Sequence, residues 1–270
     1  MKLMDYVTDA RNPQRQLHSK GLPLKLELPD EIVKDLKTLY KSGETEGVEI
    51  GLTAFVTTDG GFKIDHWSKG FPDRVQTLHT DDNDAFGDLH SHPSTSIGHV
   101  HGYCAHSPGD YQMFSPPNVI LKKPLFIRLV CSEKHIYAVI YRNGLSKFNR
   151  PAFDDLQGTQ KASQDSYFEE KNPLGDKWRD EQNTILLEGK VKEKQLAGLS
   201  KTAAEQKRTE IRQGMSFNRL VELKKYTPHF GRYMMNASLA FNMRMASACG
   251  FGFYVSGTDD SLTLLAGPKE

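Results

Sequence analysis

The stretch Gly87-Asp88-Leu89-His90-Ser91-His92-Pro93 constrains this chain more than any other. Side chains alternate along a strand, so two histidines one residue apart present their imidazoles to the same face. Such a pair can grip one metal ion from one side. Downstream lies His106-Ser107-Pro108-Gly109-Asp110, whose aspartate can close a third corner. Three protein ligands with a fourth position left for water is the arrangement of a catalytic zinc rather than a structural one. Ser107 suits a helix N-cap and Pro108 the first helical position. Asp110, three residues beyond Ser107, shares its face of that first turn.

At these residues the chain resembles the JAMM motif of the MPN (Mov34/Mpr1-type) metallopeptidases, which include deubiquitinating isopeptidases. An HxH pair alone is unspecific, since amidohydrolases, PHP-type phosphoesterases and cupins also use it. HxHP joined to SxxD, with a glutamate strand upstream, is far more specific. Fourteen residues separate His92 from Ser107, about twice the family's usual spacing, so the match carries an inserted segment. A histidine-rich surface loop without an ion is the plain alternative.

The resemblance implies one catalytic zinc held by His90, His92 and Asp110. The family's strand glutamate carries over to Glu49, in Glu49-Ile50-Gly51-Leu52, with Glu46 in reserve. That carboxylate would take the proton of the attacking water and pass it to the leaving amine. Ser107 would hydrogen-bond the developing oxyanion. The plain readings are a solvent-facing glutamate and a helix cap. The implied substrate is an amide or isopeptide bond of ubiquitin or a ubiquitin-like modifier. A zinc peptidase acting on a precursor or cell-wall peptide is a rival, as is a non-catalytic MPN scaffold.

The insert brings His99, His101, Cys104 and His106 within eight residues. It reads either as a second, structural zinc site or as a glycine- and histidine-containing loop over the first. His18, His66, His79, His135 and His229 are scattered and read as structural or surface residues.

Around the motif, Leu24, Leu26 and Leu28 alternate with polar residues as a short strand. Pro29-Asp30-Glu31 opens a helix with Ile32, Val33, Leu36, Leu39 and Tyr40 on one face, ended at Gly43. Residues 48–57 and 62–67 form a hairpin about Asp59-Gly60-Gly61, and 85–90 is the histidine strand. A short helix over 110–114 and a hairpin of 125–131 with 136–141 follow. These elements predict an α/β (α+β) fold, a mixed sheet flanked by helices, with a mainly helical C-terminal extension. The order also resembles the MPN fold over roughly 24–148.

The chain divides into a polar lead-in (1–20), a metallopeptidase-like domain (21–150), a connecting segment (151–177) and a helical extension (178–270) closed by a hairpin near Thr258-Asp259-Asp260. Between Lys190 and Lys225 ten Lys/Arg face four Glu. This basic arm reads as a solvated amphipathic helix or as a surface for an acidic partner or nucleic acid, and the 178–248 helices as an element that docks a partner or substrate or completes the core. A net charge of +1 gives no general pull toward nucleic acid or membrane. Three cysteines, a polar N-terminus and the lack of a long apolar run predict a reducing, cytoplasm-like setting without a membrane span.

Overall fold

The computed structural model of the chain describes residues 1–12, 21–70, 75–93, 105–132, 135–159 and 230–268. The apolar runs of the sequence lie side by side in one mixed sheet of eight strands, flanked by helices. The strands are β1 (Lys25–Leu26), β2 (Ile50–Val56), β3 (Phe62–Lys69), β4 (Ala85–Ser91), β5 (Leu125–Cys131), β6 (Ile136–Arg142), β7 (Gly252–Ser256) and β8 (Leu262–Ala266). Their order across the sheet is β1-β8-β7-β6-β5-β4-β2-β3. Every neighbouring pair is antiparallel except β4 and β5. Parallel strands cannot be joined by a tight turn. The chain therefore crosses over between Ser91 and Leu125, and this crossover carries the second half of the motif.

Among the described residues the helices are α1 (Leu3–Arg11), α2 (Asp30–Glu46), α3 (Pro108–Gln112), α4 (residues 150–159) and α5 (Phe230–Cys249), with a 3-10 turn at Val119–Lys122. They divide the core between the two faces of the sheet. On one face α1 and α2 pack Leu3, Val7, Ile32, Leu36 and Leu39 against Leu89, Ile127, Leu129 and Ile140. On the other, α3, α4 and α5 pack Tyr111, Phe114, Phe153, Phe241 and Met245 against Phe126, Val130, Val139 and Phe253. With both faces covered, β2, β4, β5 and β6 are buried along nearly their whole length.

Three expectations need correction. Residues 1–20 do not begin as a polar lead-in, because Leu3, Tyr6, Val7 and Ala10 form the buried stripe of α1. Each large apolar side chain withdrawn from water there contributes about 1.5–3 kcal/mol, which secures so short a helix. Helix α2 does not stop at Gly43 but runs to Glu46, ended by Gly47 in the left-handed region at φ 68°. Gly43 has another task, since a Cβ there would stand 2.7 Å from Pro93 Cγ and 2.8 Å from Ser91 Oγ. The bare glycine lets α2 lie directly against the histidine strand.

The third correction concerns the second half. Residues 150–159 of the expected connector are helical, with Phe153 buried in the core. The closing hairpin is present, and β7 pairs with β6 and β8 with β1. The residues from 230 onward thus complete the sheet, the core-completing role left open for the extension. The basic arm and the remaining 160–229 lie outside the described residues. Among the described residues no helix is long and apolar enough to cross a membrane.

Candidate metal centre

Alternation along β4 turns Asp88 and His90 toward the face covered by α3 and α5, while Leu89 joins the opposite core. Register places Gly51 of β2 beside His90, and Thr53 beside Asp88. Glu49, just ahead of β2 and two residues before Gly51, reaches the same region. His92 follows the last residue of β4, and its N–H donates to the Cys131 carbonyl at 2.8 Å. That bond prolongs the β4–β5 pairing and holds the second imidazole near the first, with ring centroids 5.0 Å apart.

The crossover then returns Asp110 over these rings. His90 Nε2 stands 3.2 Å from Asp110 Oδ1, and His92 Nε2 stands 3.6 Å from Asp110 Oδ2. One ligand atom from each of the three residues falls within 4.8 Å of the other two. Ligand atoms bonded to one tetrahedral ion at ~2.0–2.2 Å lie roughly 3.3–3.6 Å from each other, so the group is spaced to hold an ion. His90 is fully buried, and neither of its ring nitrogens makes a hydrogen bond. A buried imidazole nitrogen this close to a carboxylate calls for a proton or a cation between them. Two imidazoles and a carboxylate are donors suited to a divalent transition metal.

Asp110 is held by the turn that carries it. Ser107 caps α3: its backbone N–H donates to Asp110 Oδ2 at 2.6 Å and its hydroxyl donates to the same oxygen at 2.9 Å. Asp110 N–H donates in return to Ser107 Oγ at 3.4 Å, closing a capping box. With Oδ2 occupied by Ser107, Oδ1 is left facing His90. Glu49 stands beyond, its Oε1 3.8 Å from His92 Nε2 and its side chain only 7% exposed.

Sequence reasoning missed Arg128. It lies on β5 next to Asp88 in the parallel register and is 5% exposed. Its Nε is 3.3 Å from Asp110 Oδ1, its Nη2 is 3.4 Å from Asp88 Oδ2, and its Nη1 donates to the Asp110 carbonyl at 3.4 Å. Asp88 Oδ2 also accepts from the Thr77 hydroxyl at 2.8 Å. A signal was present in Leu125-Phe126-Ile127-Arg128-Leu129-Val130-Cys131. An arginine inside an apolar strand is rarely buried unless it is paired. Burial pushes the Asp110 carboxyl up, but the guanidinium and the two imidazoles outweigh that and hold it well below the usual range.

The remaining candidates fall outside this cluster. Glu46 is the last residue of α2, not a strand residue, and its partly exposed carboxylate pairs with Lys69. His106 is fully buried, with Nε2 at 3.1 Å from the Arg128 carbonyl, and burial drives its pKa well below the ordinary imidazole value. His99, His101 and Cys104, its expected partners in a second zinc site, lie outside the described residues. No family model matches the chain, and no curated protein matches it.

Proposed function

We propose that this protein is a zinc-dependent hydrolase of the JAMM type, cleaving a peptide or isopeptide bond. The observation that carries the proposal is the buried convergence of His90, His92 and Asp110 with Glu49 beside them. Zinc held by those three residues would supply Lewis acidity and lower the pKa of a bound water toward neutrality. The chain's own residues supply the rest. Glu49, 3.8 Å from His92, would take the proton of an attacking water and return it to the departing amine. Ser107 holds Oδ2 of Asp110, so that Oδ1 faces His90 and Arg128. The oxyanion role that the resemblance implies for Ser107 requires its hydroxyl proton to leave Asp110 Oδ2 for the substrate. Arg128 lies between Asp88 and Asp110 and is shared by the two carboxylates behind the candidate ligands. A ubiquitin-like conjugate is the substrate class that the motif suggests.

The direct test is Glu49→Gln in the full-length chain. Zinc content is expected to stay near one per chain while hydrolysis of an isopeptide-linked conjugate falls about 10²–10⁴-fold, the usual contribution of a general base. Full activity in that variant overturns the assignment. One observation favours a second reading, a metal-free scaffold: Arg128 already provides Asp110 with a cationic partner. Failure of the wild-type chain to retain zinc or cobalt would select it.

A further inference from the structure

Asn242 lies on α5, fully buried, among Ser238, Phe241, Met245, Ala246 and Cys249 of the same helix. An amide in such a place is costly unless it is satisfied. Its Nδ2 donates to the His106 carbonyl at 2.9 Å and to the Ser238 carbonyl at 2.8 Å. Its Oδ1 accepts from the Tyr111 hydroxyl at 2.7 Å. Two carbonyls on one side of the amide and a hydroxyl on the other assign its orientation. His106 immediately precedes Ser107, and Tyr111 immediately follows Asp110. A single side chain therefore grips both ends of the turn that presents the third ligand. Ser238, one helical turn earlier and also fully buried, accepts from the Ala105 N–H at 3.4 Å, extending the same hold.

The turn needs such a hold. Helix α3 has five residues, far too few to persist without tertiary contacts. Ser107 fixes the Asp110 carboxylate relative to α3, but only outside contacts fix α3 relative to the sheet. Leucine at position 242 has the higher helix preference but offers no bond to the His106 carbonyl or the Tyr111 hydroxyl. Asparagine's advantage there is the pair of bonds to residues 106 and 111.

We propose that Asn242 is a positioning residue of the metal centre, which makes helix α5 a working part of the site rather than an appendage. The proposal rests on the reading of His90, His92 and Asp110 as ligands. Asn242 carries no charge, so its loss changes the alignment of Asp110 without changing the field on the ion. Groups that orient a ligand from behind are worth about 10–100-fold in metal affinity.

The experiment is cobalt(II) binding to the full-length chain, measured by competition with a chelator and by the visible spectrum, beside thermal unfolding. The variants are Asn242→Leu, Tyr111→Phe and, as a control, Met245→Ala, which thins the same helix's core contact and removes no hydrogen bond given for the turn. Asn242→Leu should weaken cobalt binding 10–100-fold and alter the spectrum. Tyr111→Phe should do the same to a smaller extent. Met245→Ala should lower the unfolding temperature and leave affinity and spectrum unchanged. Wild-type affinity and spectrum in Asn242→Leu overturn the proposal. If that variant does not fold, the same result in Tyr111→Phe overturns it. Equal loss of affinity in Met245→Ala also overturns it, reducing Asn242 to a stabiliser of the fold. A wild-type chain that binds neither cobalt nor zinc would instead refute the ligand reading itself, and the proposal with it.

Discussion

Arg128 and Asp88 are register neighbours on the one parallel strand pair of the sheet, with Arg128 Nη2 3.4 Å from Asp88 Oδ2. Asp88 is fully buried and Arg128 is 5% exposed. The same guanidinium lies against Asp110, so this buried charged pair also supports a carboxylate of the candidate metal centre.

Removing one member of such a pair leaves an uncompensated buried charge. Arg128→Met should therefore destabilise the metal-free chain by about 3–5 kcal/mol. Combining it with Asp88→Asn should cost less than the two single changes added together, because the double variant strands one charge fewer. Denaturant midpoints of the four proteins check this. A single variant within about 1 kcal/mol of wild type would show that the pair is not coupled to folding.

Asp110→Asn and Ser107→Ala should separate ligand from support. The first removes the charge of a ligand and should release zinc on dialysis. The second removes a cap worth about 0.5–2 kcal/mol and one bond to Oδ2, so zinc should be retained but lost faster to a chelator. Zinc contents indistinguishable from wild type in both variants would mean that the ion, if bound, is held elsewhere.

A chain ending at Arg150 should not fold. It would lose β7 and β8, expose the edge of β6, and strip Phe241, Met245, Phe251 and Phe253 from the core beneath the site. Long unpaired edges lead to aggregation. Recovery of a soluble, cooperatively unfolding 1–150 fragment would contradict this.

Cys131 sets a limit at alkaline pH. Burial pushes its thiol up to about 12, whereas an unfolded thiol ionises near ~8.5. The folded pKa is the raised one, so the thiol's contribution is fully present below ~8.5 and is lost as pH climbs toward 12. The slope is at most about 1.4 kcal/mol per pH unit. The unfolding free energy should fall less from pH 8 to pH 10 in Cys131→Ala than in wild type. Identical slopes would show that the thiol is accessible in the folded state.

Much of this architecture was readable before any coordinates. The hairpin of β5 and β6 was expected at 125–131 and 136–141 and ends one residue later, because continuous apolar runs bounded by polar turns leave little freedom. Helix α1 was missed although Leu3, Tyr6, Val7 and Ala10 keep helical spacing, since Asp5, Asp9 and Arg11 make the segment polar on average. Gly43 was mistaken for a helix end because a glycine's tight contact with another element looks, in sequence, like a glycine cap.

Strand alternation alone was enough to put His90 and His92 on one side, and local capping chemistry was enough to start a helix at Ser107 with Asp110 in its first turn. These are short-range regularities, repeated every 2 or 3.6 residues, and the sequence carries them openly. What surrounds Asp110 was decided only in three dimensions. Arg128 reaches it across 18 positions through the parallel pairing of β4 and β5, and Asn242 reaches the same turn across 136. A buried polar group must find its partner wherever the packed chain brings one within about 3 Å, and no local period records that distance.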